Sequence, residues 1–205
     1  MNIAIIGTGN VGSALAHGLK RAGHRIFFGV RDTNNFKNTD TVDGTVITAH
    51  PVAEAVAEST VVIIAVPADA VPDAARSLGD VSGKVIIDTT NAVMKKPEGY
   101  PDGFAALKDI TKSPDVVKCF NSTGAENMMN PRFGETRIDM FVAGASEKGK
   151  MVATTLAKEI GFENVYDFGG DDKVALLEEF AMAWINLALM QNQGRNIAFK
   201  VIRRP

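Results

Sequence analysis

Short apolar runs recur along the chain, each closed by turn residues or by a stretch with helical spacing. Ile3–Ile6, Ile26–Phe28, Val61–Val66, Val85–Ile87 and Val116–Val117 are the clearest. Runs this short, rich in Val and Ile and without polar alternation, predict strands buried on both faces, as in a parallel sheet. A weaker run, Thr45–Thr48, predicts the third strand. Between the runs, Val11, Ala14, Leu15, Gly18 and Leu19 share one helical face, and Val52–Val56 and Ala68–Leu78 make shorter helices. Strand and helix alternating in this way predict a doubly wound, mainly parallel α/β sheet of the Rossmann type.

Two stretches break the alternation. Residues 31–44 are polar, and the crossover there is expected to be a loop or a single helical turn. Residues 91–114 hold Pro97, Gly99, Pro101 and Gly103, which is loop chemistry, with one short helix near Phe104–Lys108. Met140–Ala143 and Val165–Phe168 predict two further strands around a helix at Glu147–Ile160. From Asp171, a candidate N-cap, a last helix begins and becomes apolar nearly all round between Phe180 and Met190, including Trp184. Such a helix must be covered, by the chain itself, by a substrate or by a second subunit. The expected organisation is a dinucleotide-binding domain over 1–168 and a helical segment over 169–205, packed on it and on a partner in a homodimer.

Composition narrows the function. The 205 residues carry a formal net charge of −2, without the basic excess of a general nucleic-acid or anionic-membrane binder. Cys119 is the only cysteine and lies in an apolar run, which predicts a core thiol. No His, Cys and carboxylate spacing suggests a metal site. His17 and His24 are expected to be structural and His50 exposed. The chain enters a strand at once, with no basic leader, and no apolar run approaches the ~20 residues of a membrane span. A cytoplasmic protein is expected.

Gly7-Thr8-Gly9-Asn10-Val11-Gly12 carries the first chemical signal. A G-x-G-x-x-G between a strand and an amphipathic helix is the context for dinucleotide binding. Gly7 allows the tight turn, Gly9 the approach of a pyrophosphate, and Gly12 close packing of helix on strand. The helix start then offers free amides and a favourable dipole to the phosphates.

The second strand bears on which coenzyme. NAD-binding domains usually end it with Asp or Glu for the ribose 2′-hydroxyl, but here the slot holds Val30, followed by Arg31. A guanidinium pairs with a 2′-phosphate and stacks on adenine, which predicts NADP(H). Thr33, Asn34 and Lys37 follow as further donors, and Asp32 runs against the pattern.

Ligands of open α/β sheets lie beyond the carboxyl ends of the strands. Ala65-Val66-Pro67-Ala68, Asp88-Thr89-Thr90-Asn91-Ala92 and Phe120-Asn121-Ser122-Thr123-Gly124 reach that edge. Asn91, Asn121 and Ser122 are the candidates for contact with the reacting groups. Neither Tyr100 nor Tyr166 has a lysine four residues on, and no lysine is followed four residues on by Asn. Without an evident proton donor, direct hydride passage from nicotinamide to a flavin-like ring fits well, since the cofactors carry that chemistry.

Together with the glycine turn, Gly29-Val30-Arg31, Val66-Pro67, Asn121-Ser122-Thr123-Gly124-Ala125-Glu126-Asn127 and Gly194-Arg195-Asn196-Ile197-Ala198-Phe199-Lys200 resemble the F420-dependent NADP oxidoreductase family and its bacterial dinucleotide-binding members. The resemblance implies NADP(H) held by Thr8–Val11, Val30 and Arg31, with nicotinamide near Val66, Ala92 and Gly124. It also implies a deazaflavin (F420) or a flavin, FMN or FAD, in a cleft formed with the last helices. The cytosolic domains of transmembrane metalloreductases look similar and use flavin. One departure is Val30, where the family often has Ser or Thr. Two other readings stand beside this one: a reductase of a small imine or carbonyl compound, and a non-catalytic NADP(H) sensor.

Overall fold

The computed structural model describes residues 1–93 and 95–204. The strands are β1 (Asn2–Ile6), β2 (Arg25–Val30), β3 (Ile47–Pro51), β4 (Val61–Ile64), β5 (Val85–Asp88), β6 (Val116–Cys119), β7 (Arg132–Phe133), β8 (Thr136–Arg137), β9 (Met140–Ala143) and β10 (Val165–Asp167). The α-helices are α1 (Asn10–Arg21), α2 (Val52–Ala57), α3 (Val71–Ser77), α4 (Gly103–Thr111), α5 (Ala125–Met129), α6 (Glu147–Ile160) and α7 (Val174–Ile185), the last continuing into a π-helical turn at Asn186–Met190.

Eight strands form one sheet in the order β10-β9-β6-β5-β4-β1-β2-β3. Neighbours are parallel except β6 and β9. This is the doubly wound Rossmann arrangement. The chain winds from β1 outward to β3, then returns to lay β4 on the other side of β1. The winding therefore reverses between β1 and β4, and a crevice opens there at the strand ends.

Every residue of β4, β5, β6 and β9 is buried, which is why these strands read as continuous apolar runs. One core layer packs Leu15 and Leu19 of α1, Met128 of α5 and Leu156 of α6 against Ile3, Ile63, Ile87 and Val117. The opposite layer packs Val56, Val71, Leu107, Val174 and Leu177 against Ala4, Val62 and Ile86. Helix α7 thus contributes to the sheet's own core. Among the described residues, no helix is long and apolar enough to cross a membrane.

Several local expectations need correction. The third strand begins at Ile47, not Thr45, because Asp43 Oδ1 accepts the amides of Thr45, Val46 and Ile47 and holds them in a turn. The run Val61–Val66 leaves the sheet after Ile64. Asp171 does not cap the last helix. Its carboxylate accepts the Ala145 amide and pairs with Lys108. His50 is half-buried, stacked at a tilt on Phe27 and bonded to Thr48. His24 is buried between the Met1 amine and Glu159. Cys119 is fully buried, and burial pushes its thiol up to about 12. It is a core residue, as expected.

Candidate functional site

The glycine turn sits at the reversal point of the sheet. Gly7 has φ +110°, and a Cβ there would overlap the Ala65 carbonyl at the end of β4. A Cβ on Gly12 would overlap the Gly7 carbonyl. Both positions are thus closed by the protein's own backbone. Gly9 differs, since a Cβ there meets nothing within 4 Å. Among the described residues, the space over Gly9 is open and no side chain caps α1. The first-turn amides point into that opening, ready for an anion. The turn is braced from behind: the Thr8 carbonyl accepts Asn38 Nδ2 at 2.7 Å and Ser13 Oγ at 3.3 Å. These residues fit the pyrophosphate of a dinucleotide.

Val30 ends β2 with its side chain in the core, while Arg31, Thr33, Asn34 and Lys37 are exposed around the polar loop. Asp32 is occupied within that loop. Its Oδ1 accepts the Asn34 amide at 2.9 Å and its carbonyl the Asn35 amide. One oxygen of the carboxylate is thus engaged in the turn.

On the other side of β1, three stretches form the mouth. Ala65 and Val66 are half-buried and Pro67 exposed. Thr89 Oγ1 donates to the Ile64 carbonyl at 2.8 Å, joining the first stretch to the second. Asn91 and Asn121 come together. Asn91 Nδ2 donates to the Asn121 carbonyl at 2.7 Å, and Asn121 Nδ2 donates to Asn91 Oδ1 at 3.0 Å. Asn121 Oδ1 is buried and has no partner among the described residues. Ser122 is not brought to the mouth, since its hydroxyl faces Met140 Sδ at 3.8 Å inside the protein. Phe120, at φ 60°, turns the chain sharply out of β6.

The sequence reading missed a buried ionic cluster under this mouth. Lys118, on β6, is fully buried. Its Nζ lies 2.7 Å from Asp88 Oδ2 at the end of β5 and 2.5 Å from Glu178 Oε1 on α7, and it donates to the Thr90 carbonyl at 2.8 Å. Burial disfavours the Lys118 charge, but Asp88 and Glu178 outweigh it and hold the ammonium above its usual value. Burial pushes Glu178 upward against the pull of Lys118. The remaining oxygens are used as well: Asp88 Oδ1 accepts the Thr90 amide at 2.8 Å, and Glu178 Oε2 accepts the Ala92 amide at 3.1 Å. The only hint in the sequence was a lysine inside an apolar strand.

Helix α7 therefore touches two of the three stretches of the mouth. Glu178 holds Ala92, the Leu177 carbonyl faces Asn121 Nδ2 at 3.5 Å, and Trp184 packs so close to Gly124 that a Cβ there would meet its ring at 2.9 Å. One carbonyl of the segment after α7 is held twice. Ile197 accepts both Trp184 Nε1 at 2.7 Å and Asn127 Nδ2 at 2.8 Å.

Residues 2–92 match the family described as NADP oxidoreductase coenzyme F420-dependent. Glycerol-3-phosphate dehydrogenase (NAD(P)+) from Thermoanaerobacter sp. (strain X514) is 34% identical over 212 residues, covering 86% of this chain and 64% of that protein. The chain thus spans a little under two thirds of the length of this curated relative. A structure from Arthrobacter sp. FB24, named provisionally as an F420-dependent NADP-reductase, superposes with a TM-score of 0.87 at 24% identity, over 99% of this chain and 100% of that one. A hypothetical protein from Sinorhizobium meliloti gives 0.73 at 23% identity, over 100% and 96%. The reductive aminase of Aspergillus terreus gives 0.67 at 17%, over 93% and 62%. At these identities the structural likenesses establish the fold.

Proposed function

We propose that the chain, whose residues 2–92 match the family described as NADP oxidoreductase coenzyme F420-dependent, is an NADP(H)-dependent oxidoreductase exchanging hydride with a flavin or deazaflavin acceptor. One observation carries the coenzyme reading: the open amide turn at Gly9 lies one strand from an exposed arginine at the end of β2, with no acidic residue in the ribose slot. Gly7, Thr8, Gly9, Asn10, Val11 and Gly12 take the pyrophosphate, and Arg31 and Lys37 the 2′-phosphate. Ala65, Val66, Pro67, Asn91, Ala92 and Gly124 border the nicotinamide.

The mouth itself favours a ring acceptor. None of residues 65–68, 89–93 and 120–124 titrates near neutral pH, and Lys118 beneath them is sealed from solvent. A carbonyl or imine substrate needs a proton at its reacting atom, whereas stacked rings need mainly orientation. Leu176, Leu187, Leu189 and Met190 of α7 and its final turn remain exposed, which supports a homodimer through that surface.

The test is calorimetric. Arg31→Ala should lose about 1.5–3 kcal/mol of NADPH binding, the range for hydrogen bonds to a charged group, and leave NADH binding unchanged. Equal losses for both coenzymes overturn the assignment of Arg31. Rapid mixing of the NADPH complex with FMN, FAD, deazaflavin and small carbonyls identifies the acceptor. Oxidation by a carbonyl alone overturns the ring reading, and tight binding without turnover points to a sensor.

A further inference from the structure

The buried cluster beneath the mouth has unequal charge. Asp88 and Glu178 are two carboxylates around one ammonium, Lys118, and all three lie at or below the ends of β5 and β6. Of the other ionised groups near Gly124, Glu126 and Arg195 form a pair at 2.7 Å and cancel. The cluster is left with one net negative charge in a region of low polarizability.

Its position matters. A dinucleotide crossing the reversal point puts its adenosine over β2 and its other half over β4, β5 and β6. That half then rests on the loop from Thr89 to Ala92, whose underside is held by Glu178 through the Ala92 amide and by Lys118 through the Thr90 carbonyl. The nicotinamide is neutral when reduced and positively charged when oxidised, while the phosphates are the same in both forms.

We infer that Asp88 and Glu178, with Lys118 fixing them, bias this site electrostatically toward the oxidised coenzyme and so favour hydride donation by the reduced one. Neither carboxylate touches the ring. They act through space, and Lys118 holds both in place. In the reaction they favour, the C–H bond at nicotinamide C4 breaks with its electron pair and a bond forms from that hydrogen to the acceptor ring, so the nicotinamide is oxidised and the flavin or deazaflavin reduced. This inference rests on the coenzyme reading given above.

The measurement is the ratio of dissociation constants for NADP+ and NADPH, by calorimetry, in the wild type, Glu178→Gln and Asp88→Asn. Each variant removes one negative charge from a different element. A unit charge about 10 Å away at an effective dielectric constant of about 20 corresponds to roughly tenfold in binding. Either variant should therefore raise the ratio of the NADP+ constant to the NADPH constant by about tenfold. A structural defect weakens both coenzymes together, so an unchanged ratio, or one that falls, overturns the inference and leaves the coenzyme reading standing. A wild type that binds neither form overturns both.

Discussion

Lys118→Met should destabilise the fold by about 3–5 kcal/mol, the cost of leaving a buried ion without its partner. The methionine fills the space of the lysine stem, so the loss is electrostatic and not a cavity effect. Asp88 is fully buried at the end of a central strand. Without the ammonium it keeps only the Thr90 amide, and the excess of negative charge beside Glu178 rises. Urea denaturation at pH 7 gives the value directly. The deficit should shrink as the pH is lowered toward the carboxylate range, because protonation removes the uncompensated charge. Burial holds the Glu178 pKa above its ordinary value, so relief should begin with this group as the pH falls. A variant as stable as the wild type at pH 7 would mean that the cluster is hydrated in solution.

The second large effect separates two glycines of one motif. Gly12→Ala places a Cβ on the Gly7 carbonyl. The obstacle is backbone, so α1 must shift as a body, at about 3 kcal/mol, the upper part of the usual cost of overpacking. Gly9→Ala meets no atom of the described residues within 4 Å. Its thermal midpoint should match the wild type while coenzyme affinity falls by more than about tenfold, since the methyl occupies the path of the pyrophosphate. Thermal melts with and without NADPH distinguish the two. If Gly9→Ala binds NADPH as tightly as the wild type, the open face of the turn is not the phosphate site.

The glycine turn, the buried central strands and their alternation with helices were legible in the sequence because each rests on local spacing. Helix α6 starts and stops where its sequence signals say. Ser146 caps it by accepting the Gly149 amide, and Gly161 ends it at φ 122°. The ion cluster was not legible. Val116–Val117 reads as a short buried strand and gives Lys118 no role, and only tertiary structure brings Asp88 and Glu178 to that lysine. Asp171 shows the same limit in reverse. Its position before a helix suggests a cap, yet Lys108, 63 residues away, takes the carboxylate. Between the antiparallel β6 and β9 the chain forms the β7–β8 hairpin, whose two-residue strands leave almost no pattern to read.

Glu178 follows Lys118 by 60 residues, and the consequence is one of timing during synthesis. At about 5–20 residues per second, the ribosome delivers the lysine some 3–12 s before the glutamate. Until α7 emerges, the nascent sheet carries an ammonium with one carboxylate in place of two and an uncovered greasy flank where Val174 and Leu177 will dock. A chain stalled in that interval shows the features by which chaperones select their clients.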